Sequence, residues 1–514
     1  MSAVQAAMER DFGVIAGLIR LHAQQDPERR ALVDDRQTLS YGQLDARMDR
    51  VAASLQRDGL KPGDAIAICA ASSVNYAAVF LGALRAGVAV APLAPGSTPA
   101  SLARMIEDAE ARLLFVDAAA AAVIGPAGQD AIPRIALDHS TAGTDLETWL
   151  APAGAVPADV DPQPAWPFNI IYSSGTTGEP KGIVQGHGMR WSHVRRGARY
   201  AYGPDAVTLL STPLYSNTTL VVFFPTLAYG GCAILMPKFD AAGYLEIAER
   251  ERVSHTMLVP VQYQRLMARP DFDRYDLASF RFKFSTSAPF SAGLKADVLA
   301  RWPGGLVEFY GMTEGGGTCI LDAHLHPGKL HTVGRPAEGS DIRLIDEAGN
   351  EAPRGEAGEV VGHSAGMMVG YHRQPAKTRE AEWFDPNGKR FIRTGDIGRF
   401  DEDGFLTLFD RKKDMIISGG FNIYPSDLEA ILRGHSAVAD AAVVGLPSEQ
   451  WGETPVGFVV RRPGDATDAE ALLQWANAQL GKTQRLARVH FIDELPRSAI
   501  GKVLKRELRE RELR

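Results

Sequence analysis

The chain reads as an α/β protein with a small β-rich region appended and a separate segment at its C-terminal end. Three observations predict this. Between residues 65 and 117 short apolar runs alternate with helical stretches, the pattern of a parallel sheet with helices on both faces. Residues 330–410 then change character, with β-like runs at 342–345, 358–362 and 406–409 separated by glycine-rich turns, as in a small barrel or sandwich. Beyond Asp410 a basic stretch opens a further segment of about 100 residues, itself domain-sized. At 514 residues, the chain is also too long for one core.

In order, a helical segment opens residues 11–60, and residues 30–34 with 37–40 read as a hairpin. Tyr41, Leu44, Met48, Val51 and Leu55 then recur at spacings of three and four, one face of a helix, and Gly59 ends it as a C-terminal cap. Residues 65–70 form a strand, 74–85 a helix and 88–93 a strand; residues 102–109 and 113–117 repeat the pattern. A Pro- and Ala-rich connector, 151–167, leads into a short apolar strand at 168–172. Helices follow at 189–200, 242–251 and 261–268, with a strand at 256–259.

Composition narrows the classes. A hydrophobic fraction of 45%, with 23% charged, is that of a soluble globular protein, and a net charge of -7 argues against a nucleic-acid partner. Cys69, Cys232 and Cys319 are far apart and odd in number, so the expectation is reduced, buried thiols rather than disulfides or zinc. The first 20 residues lack the basic-then-apolar order of a signal peptide. No charge occurs between Asp205 and Lys238, but Pro213, Pro225 and Gly230-Gly231 interrupt the run, which reads as a buried helix and strand rather than a membrane span. A cytoplasmic protein, monomer or homodimer, is expected.

Residues 170–182, I-I-Y-S-S-G-T-T-G-E-P-K-G, carry the first chemistry. Ser173, Ser174, Thr176 and Thr177 offer hydroxyl donors, Gly175, Gly178 and Gly182 let backbone N–H groups turn towards an anion, and Lys181 adds a charge suited to phosphate. The spacing is not that of a Walker A loop, and a Ser/Thr/Gly cluster alone would equally suit an ordinary surface loop. The full run S-S-G-T-T-G-x-P-K-G, however, resembles the phosphate-binding signature of the AMP-forming acyl-CoA synthetases of the adenylate-forming superfamily.

Further motifs are similar to that family's in order. Phe309-Tyr310-Gly311-Met312-Thr313-Glu314 offers an aromatic face, a glycine, a hydroxyl and a carboxylate, although six such residues would equally suit a core strand ending in a turn. The match to Y-G-x-T-E implies that Tyr310 stacks adenine, Thr313 contacts phosphate and Glu314 binds Mg²⁺, with Glu308, Phe309, Gly311 and Met312 along the nucleotide. Ser285-Thr286-Ser287-Ala288-Pro289 stands where relatives have a Gly-Ala-rich turn, so Ser287, Ala288 and Pro289 are assigned to the adenine side. Thr394-Gly395-Asp396 is similar to the family's T-G-D, whose Asp accepts from the ribose hydroxyls, and Arg411 joins it by resemblance. Lys413 matches the hinge, while Gly419 and Gly420 match the pantetheine path. Lys502, in P-R-x-x-x-G-K, matches the catalytic lysine, a cation delivered to developing negative charge.

The resemblance implies a domain of residues 1–410, made of two α/β subdomains and a small β-barrel-like one, and a small mobile α+β domain, 411–514. It implies an acid + ATP + CoA ligase acting through an acyl-adenylate. Pro237-Lys238-Phe239 resembles the 4-coumarate–CoA ligase branch, where that lysine contacts CoA. Tyr215, Ser216, Thr218, Thr219 and Phe309 are assigned to the acyl pocket. Ser216 replaces a histidine common in relatives, and Phe309 replaces the glycine of the 4-coumarate enzymes, which should shorten or reshape the pocket. An aryl, arylpropenoic or short-to-medium acid is expected. Transfer to a carrier protein and a catalytically inactive nucleotide-binding homologue are the alternatives. Gly362-His363-Ser364-Ala365-Gly366 fits the nucleophile elbow of α/β-hydrolases, but the residues after it are too short and too broken for the helix an elbow requires.

Overall fold

The computed structural model describes residues 3–125, 132–173, 181–411, 414–418, 421–448, 451–480, 485–498 and 501–512. It divides into two compact units: Met1–Leu330, Pro336–Asp341 and Gly362–Ile392 form one, and His331–Arg335, Ile342–Val361 and Arg393–Arg514 the other.

The first unit is built on two sheets. One orders its strands Gly370–Tyr371, Lys181–Gly186, Pro167–Ser173, Ala89–Leu93, Ala65–Cys69, Ala111–Val116, Arg134–Ala136 and Thr144–Asp145. It is parallel from Pro167–Ser173 onwards, but Lys181–Gly186 lies antiparallel to both its neighbours. The parallel pairing expected from the alternation at 65–117 is present, and the sheet as a whole is mixed. The Ser/Thr/Gly signature joins two antiparallel neighbours, so the strand after it has to run back.

The other sheet runs Cys319–Asp322, Gly305–Tyr310, Phe282–Ser285, His255–Leu258, Val207–Leu210, Cys232–Leu235, Arg30–Val33 and Thr38–Ser40. Here too the interior is parallel and the ends antiparallel; the expected hairpin is one of them.

Period-two alternation sorts side chains between two cores. Ile66 and Ile68 join Phe115, Phe168, Leu210, Leu235 and Phe284 in the larger core, whereas Ala65, Ala67 and Cys69 face the other way with Leu102 and Met105. Helices Ile15–Gln25, Tyr41–Arg57, Val74–Arg85 and Asn217–Ala228 contribute to the larger core. The helix of the 41–57 stretch starts at a capping box between Ser40 and Gln43, and its five periodic apolar residues are each 0% exposed. Burial of each is worth about 1.5–3 kcal/mol. A Cβ on Gly82 would stand 2.5 Å from Val51 Cβ, so glycine sets the approach of the Val74–Arg85 helix to its neighbour. The uncharged segment is a buried helix and strand, as read, and among the described residues no helix is long and apolar enough to cross a membrane.

In the second unit an antiparallel pair, residues 393–400 and Leu406–Arg411, shares a sheet with residues 358–361 and 342–345. The C-terminal sheet orders Phe421–Ile423, Ile416–Ser418, Gly452–Arg461 and Val438–Ser448, with Arg488–Ile492 parallel to Gly452–Arg461. Helices Pro425–Arg433 and Ala469–Ala478 cover one face through Leu428, Leu432 and Leu472; Leu508 of helix Lys505–Glu512 packs on the other with Val444 and Phe458. The fold is therefore a large α/β part on two mixed sheets, an antiparallel subdomain and a small α+β C-terminal part.

Candidate active site

In the first unit, Ser173 pairs through its backbone with Lys181, closing the two strands that flank the signature. Ser174, Gly175, Thr176 and Thr177 lie outside the described residues. Lys181 Nζ stands 5.2 Å from the centroid of the Tyr371 ring, and Tyr371 donates its hydroxyl to Glu314 Oε1 at 2.9 Å. Tyr371 belongs to the two-residue strand beside Lys181–Gly186, so the sheet itself brings this phenol between the lysine and the carboxylate. Burial first, and then the Glu314 carboxylate, raise the Tyr371 pKa and keep it a donor. Glu314 is also fixed by its backbone, with Met368 N–H donating to its carbonyl at 2.8 Å. The following Gly315 has φ +74°, and a Cβ there would overlap the Gly366 carbonyl oxygen. Only glycine lets the chain turn so close to that carbonyl.

The strand Gly305–Tyr310 sends alternate residues to opposite faces. Phe309 packs on Phe284 at 5.5 Å and on Tyr200 at 5.9 Å. Glu308 is buried on the opposite face in an ion pair with Lys295, which is buried as well; desolvation raises its pKa against the pull of that lysine. Tyr310, Met312 and Thr313 are half-buried and Gly311 is exposed. Ser287 adopts φ +80°, a region that costs a non-glycine residue about 1 kcal/mol or more, and shares a 2.6 Å hydrogen bond with Thr218. Ala288 is half-buried and Pro289 exposed. Ser216 caps the helix Asn217–Ala228 by accepting from Thr218 N–H, and Thr219 donates to Pro213 O or Thr212 Oγ1. Tyr215 is half-buried, and Lys238 is exposed just beyond strand Cys232–Leu235.

Beneath these segments lies a group that sequence reasoning missed. Arg190 is 0% exposed, packed over Phe168 and Phe224. Its guanidinium donates to Asn169 Oδ1 at 3.0 Å, to Asn217 Oδ1 at 2.8 Å and to Gln185 Oε1. Gln185 Nε2 in turn donates to the Thr313 carbonyl at 2.7 Å. One cation thus ties both signature strands, the start of the Ser216-capped helix and the Tyr310–Glu314 turn together. Its partners among the described residues are neutral amides, and burial pushes its pKa down to about 9, so it remains charged at neutral pH. The amide residues at 169, 185 and 217 were the available signal, because buried polar groups have to be satisfied.

In the second unit, Asp396 faces Arg411 in antiparallel register. Gly395 has φ +70°, and Asp396 N–H donates to Thr394 Oγ1 at 3.0 Å, which itself donates to Val360 O. Lys502 is exposed on a tight loop. Ser498 N–H donates to the Lys502 carbonyl at 2.8 Å, Lys502 N–H returns to Ser498 Oγ at 3.2 Å, and Arg497 Nη1 holds Gly501 O at 2.6 Å. Arg497 also pairs with Asp440, so the arginine of P-R-x-x-x-G-K has a visible structural task. Lys413, Gly419 and Gly420 lie outside the described residues. Strand Gly358–His363 leads from Ser364 into a bend and then Gly370–Tyr371, with no helix where a nucleophile elbow needs one.

Residues 19–372 match the family model described as AMP-binding enzyme, and residues 427–502 match that of the AMP-binding enzyme C-terminal domain. The chain is 33% identical to a feruloyl-CoA synthase of an Amycolatopsis species, over 95% of this chain and 97% of that one. It is 31% identical to the fatty acid–[acyl-carrier-protein] ligase ScoC of Streptomyces coeruleorubidus, over 95% of each. The ATP-bound crystal structure of MatB from Rhodopseudomonas palustris superposes with a TM-score of 0.85 at 32% identity, covering 96% of this chain and 98% of that one. With the site's geometry and these matches together, the chain belongs to the AMP-binding, adenylate-forming enzymes, as an AMP-forming acid–thiol ligase.

Proposed function

We propose that this ligase joins a carboxylic acid to free CoA. In the first half-reaction a carboxylate oxygen attacks the α-phosphorus of ATP, the bond to the β-phosphate oxygen breaks, and pyrophosphate leaves. In the second, the CoA sulfur attacks the acyl carbon, AMP leaves and the thiol proton passes to solvent. Both steps depend on positioning and charge neutralisation more than on covalent help from the protein. The observation that carries the reading is the Lys181–Tyr371–Glu314 contact chain, which sets a cation and a carboxylate beside the ends of the signature strands.

Ser173, Ser174, Thr176, Thr177 and Lys181 hold the pyrophosphate end in this reading, Tyr310 the adenine, and Asp396 with Arg411 the ribose. Glu314 is the ligand for Mg²⁺. Among the described residues no group of three acidic, histidine or cysteine side chains forms a metal cage. A single carboxylate supplemented by ATP phosphates is nonetheless how Mg²⁺ is commonly bound, and there it neutralises phosphate charge. Lys502 serves the α-phosphate in the first half-reaction, and a domain of residues 411–514 pivots at Lys413 for the second. Lys238, Gly419 and Gly420 belong to the CoA path. The feruloyl-CoA synthase likeness favours an aryl or arylpropenoic acid, and the bulk of Phe309 favours a short one over a very long chain.

The acyl-carrier-protein ligase among the relatives supports a second reading, transfer to a carrier. Pyrophosphate release across a panel of acids, with and without CoA, separates the two. Turnover that needs both acid and CoA is expected. Release indifferent to CoA makes a carrier the acceptor, and no release with any acid defeats the adenylating assignment.

A further inference from the structure

Helix His187–Arg196 has two faces. Arg190, Trp191 and Val194 enter the core, whereas Ser192 and His193 face Gly366 and Arg196 reaches Thr318. His193 Nε2 lies 3.7 Å from where a Cβ on Gly366 would stand. Arg196 Nη1 donates to Thr318 Oγ1 at 3.3 Å, and that hydroxyl is 3.6 Å from the Cβ position of Gly311 in the Tyr310–Glu314 turn. Just past the helix, Tyr200 packs edge-on against Phe309, which is assigned to the acyl pocket.

This corner is polar and incompletely satisfied. The Tyr200 hydroxyl and His193 Nδ1 are buried without a hydrogen-bond partner among the described residues, although Tyr200 is only 4% exposed. Arg196 is half-buried, and the Thr318 hydroxyl is its one side-chain partner there; Asp322 is taken by Arg199 instead. Burial lowers the Arg196 pKa, yet nothing acidic among the described residues compensates its charge. Burial, then the charges of Arg190 and Arg196, keep His193 neutral. Buried polar groups are ordinarily paired, so the bare Tyr200 hydroxyl beside a half-buried guanidinium can be completed by the acceptor of a ligand.

We infer that this corner receives a second, anionic oxygen group of the substrate, a distal carboxylate held by Arg196 with the hydroxyls of Tyr200 and Thr318. The inference rests on the adenylating reading above and narrows its substrates to acids with a second carboxylate at the far end. A guanidinium fork matches carboxylate geometry, and a buried polar site discriminates strongly against a substrate that leaves it unpaired.

The test is pyrophosphate release with matched acids differing only at the distal end, hexanoate against adipate and 3-phenylpropanoate against 3-(4-carboxyphenyl)propanoate. The diacid should be favoured in kcat/KM by about tenfold or more. That ratio should collapse towards one in Arg196→Met and be partly kept in Arg196→Lys. Tyr200→Phe, which removes one oxygen, should lower the ratio as well and serves if the methionine variant fails to fold. Equal rates within every wild-type pair, or a preference untouched in Arg196→Met and Tyr200→Phe, overturn the assignment and leave the ligase reading standing. Failure of every acid, with one carboxylate or two, to release pyrophosphate overturns both.

Discussion

Lys502 shows what a single residue can and cannot announce. An exposed lysine near a chain end is usually solvated, and here only the surrounding motif marks it. The structure adds a reason for that motif: Arg497 and Ser498 hold the loop from which the lysine projects. Lys502→Ala should slow adenylate formation by roughly 10²-fold or more, the scale of losing one transition-state charge partner. Thioesterification of a preformed adenylate should fall far less, and rapid-quench assays of each half-reaction would read the split; equal losses would count against the assignment. Ser287 poses a different residue-scale question, since its φ of +80° is paid for in strain while its hydroxyl reaches Thr218. Ser287→Ala loses the hydroxyl and keeps the strain, whereas Ser287→Gly loses both. The glycine variant should be more stable than the alanine one by about 1 kcal/mol in urea unfolding. The run S-T-S-A-P is legible in the sequence, but a backbone angle is visible only once the turn is built.

Among the elements, the strand Lys181–Gly186 is the instructive case. Its run K-G-I-V-Q-G carries two glycines and no clean alternation, so nothing local marks it as a strand. Its partner Pro167–Ser173 on one side and Gly370–Tyr371 on the other make it one, and the second of these delivers Tyr371 to Glu314. Arg190 was equally silent, because an arginine in M-R-W-S-H-V-R-R reads as a solvated charge. Its acceptors come from three different elements. Arg190→Met should therefore cost about 3–5 kcal/mol, the price of leaving buried polar partners unmatched, and denaturant midpoints would measure it. A loss below about 1 kcal/mol would mean that the amide cluster relaxes onto itself or takes up water.

At the scale of the whole molecule, pH sensitivity follows from histidines that the fold buries. His187 is 3% exposed and His255 0%, and burial drives the pKa of each from 6.5 to about 4. The folded protein thus holds both neutral while the unfolded chain protonates them. Their contribution is present above pH 6.5 and is lost as pH falls towards 4, on the order of 3 kcal/mol for each. Thermal melts between pH 7 and 4 should show a steep loss of stability. His187→Leu, whose Nε2 has no partner among the described residues, should flatten that slope; an unchanged slope would assign the acid sensitivity to other groups.

The sequence by itself determined the strand–helix alternation, the helix periodicity, the buried uncharged segment and the order of the motifs, because each is a local pattern of residue type and spacing. It also carried the reaction class, through motifs whose residues suit phosphate, adenine and ribose. Only the tertiary structure decided that the sheets are mixed, that Glu308 turns to Lys295 rather than with Phe309, that Tyr371 joins Lys181 to Glu314, and that Arg190 is withdrawn from water and Arg196 half-buried. The physical reason is range. Periodicity and capping act over a few residues, whereas strand partners, buried charges and incompletely satisfied polar corners are set by segments tens to hundreds of residues apart, whose meeting depends on how the whole chain packs.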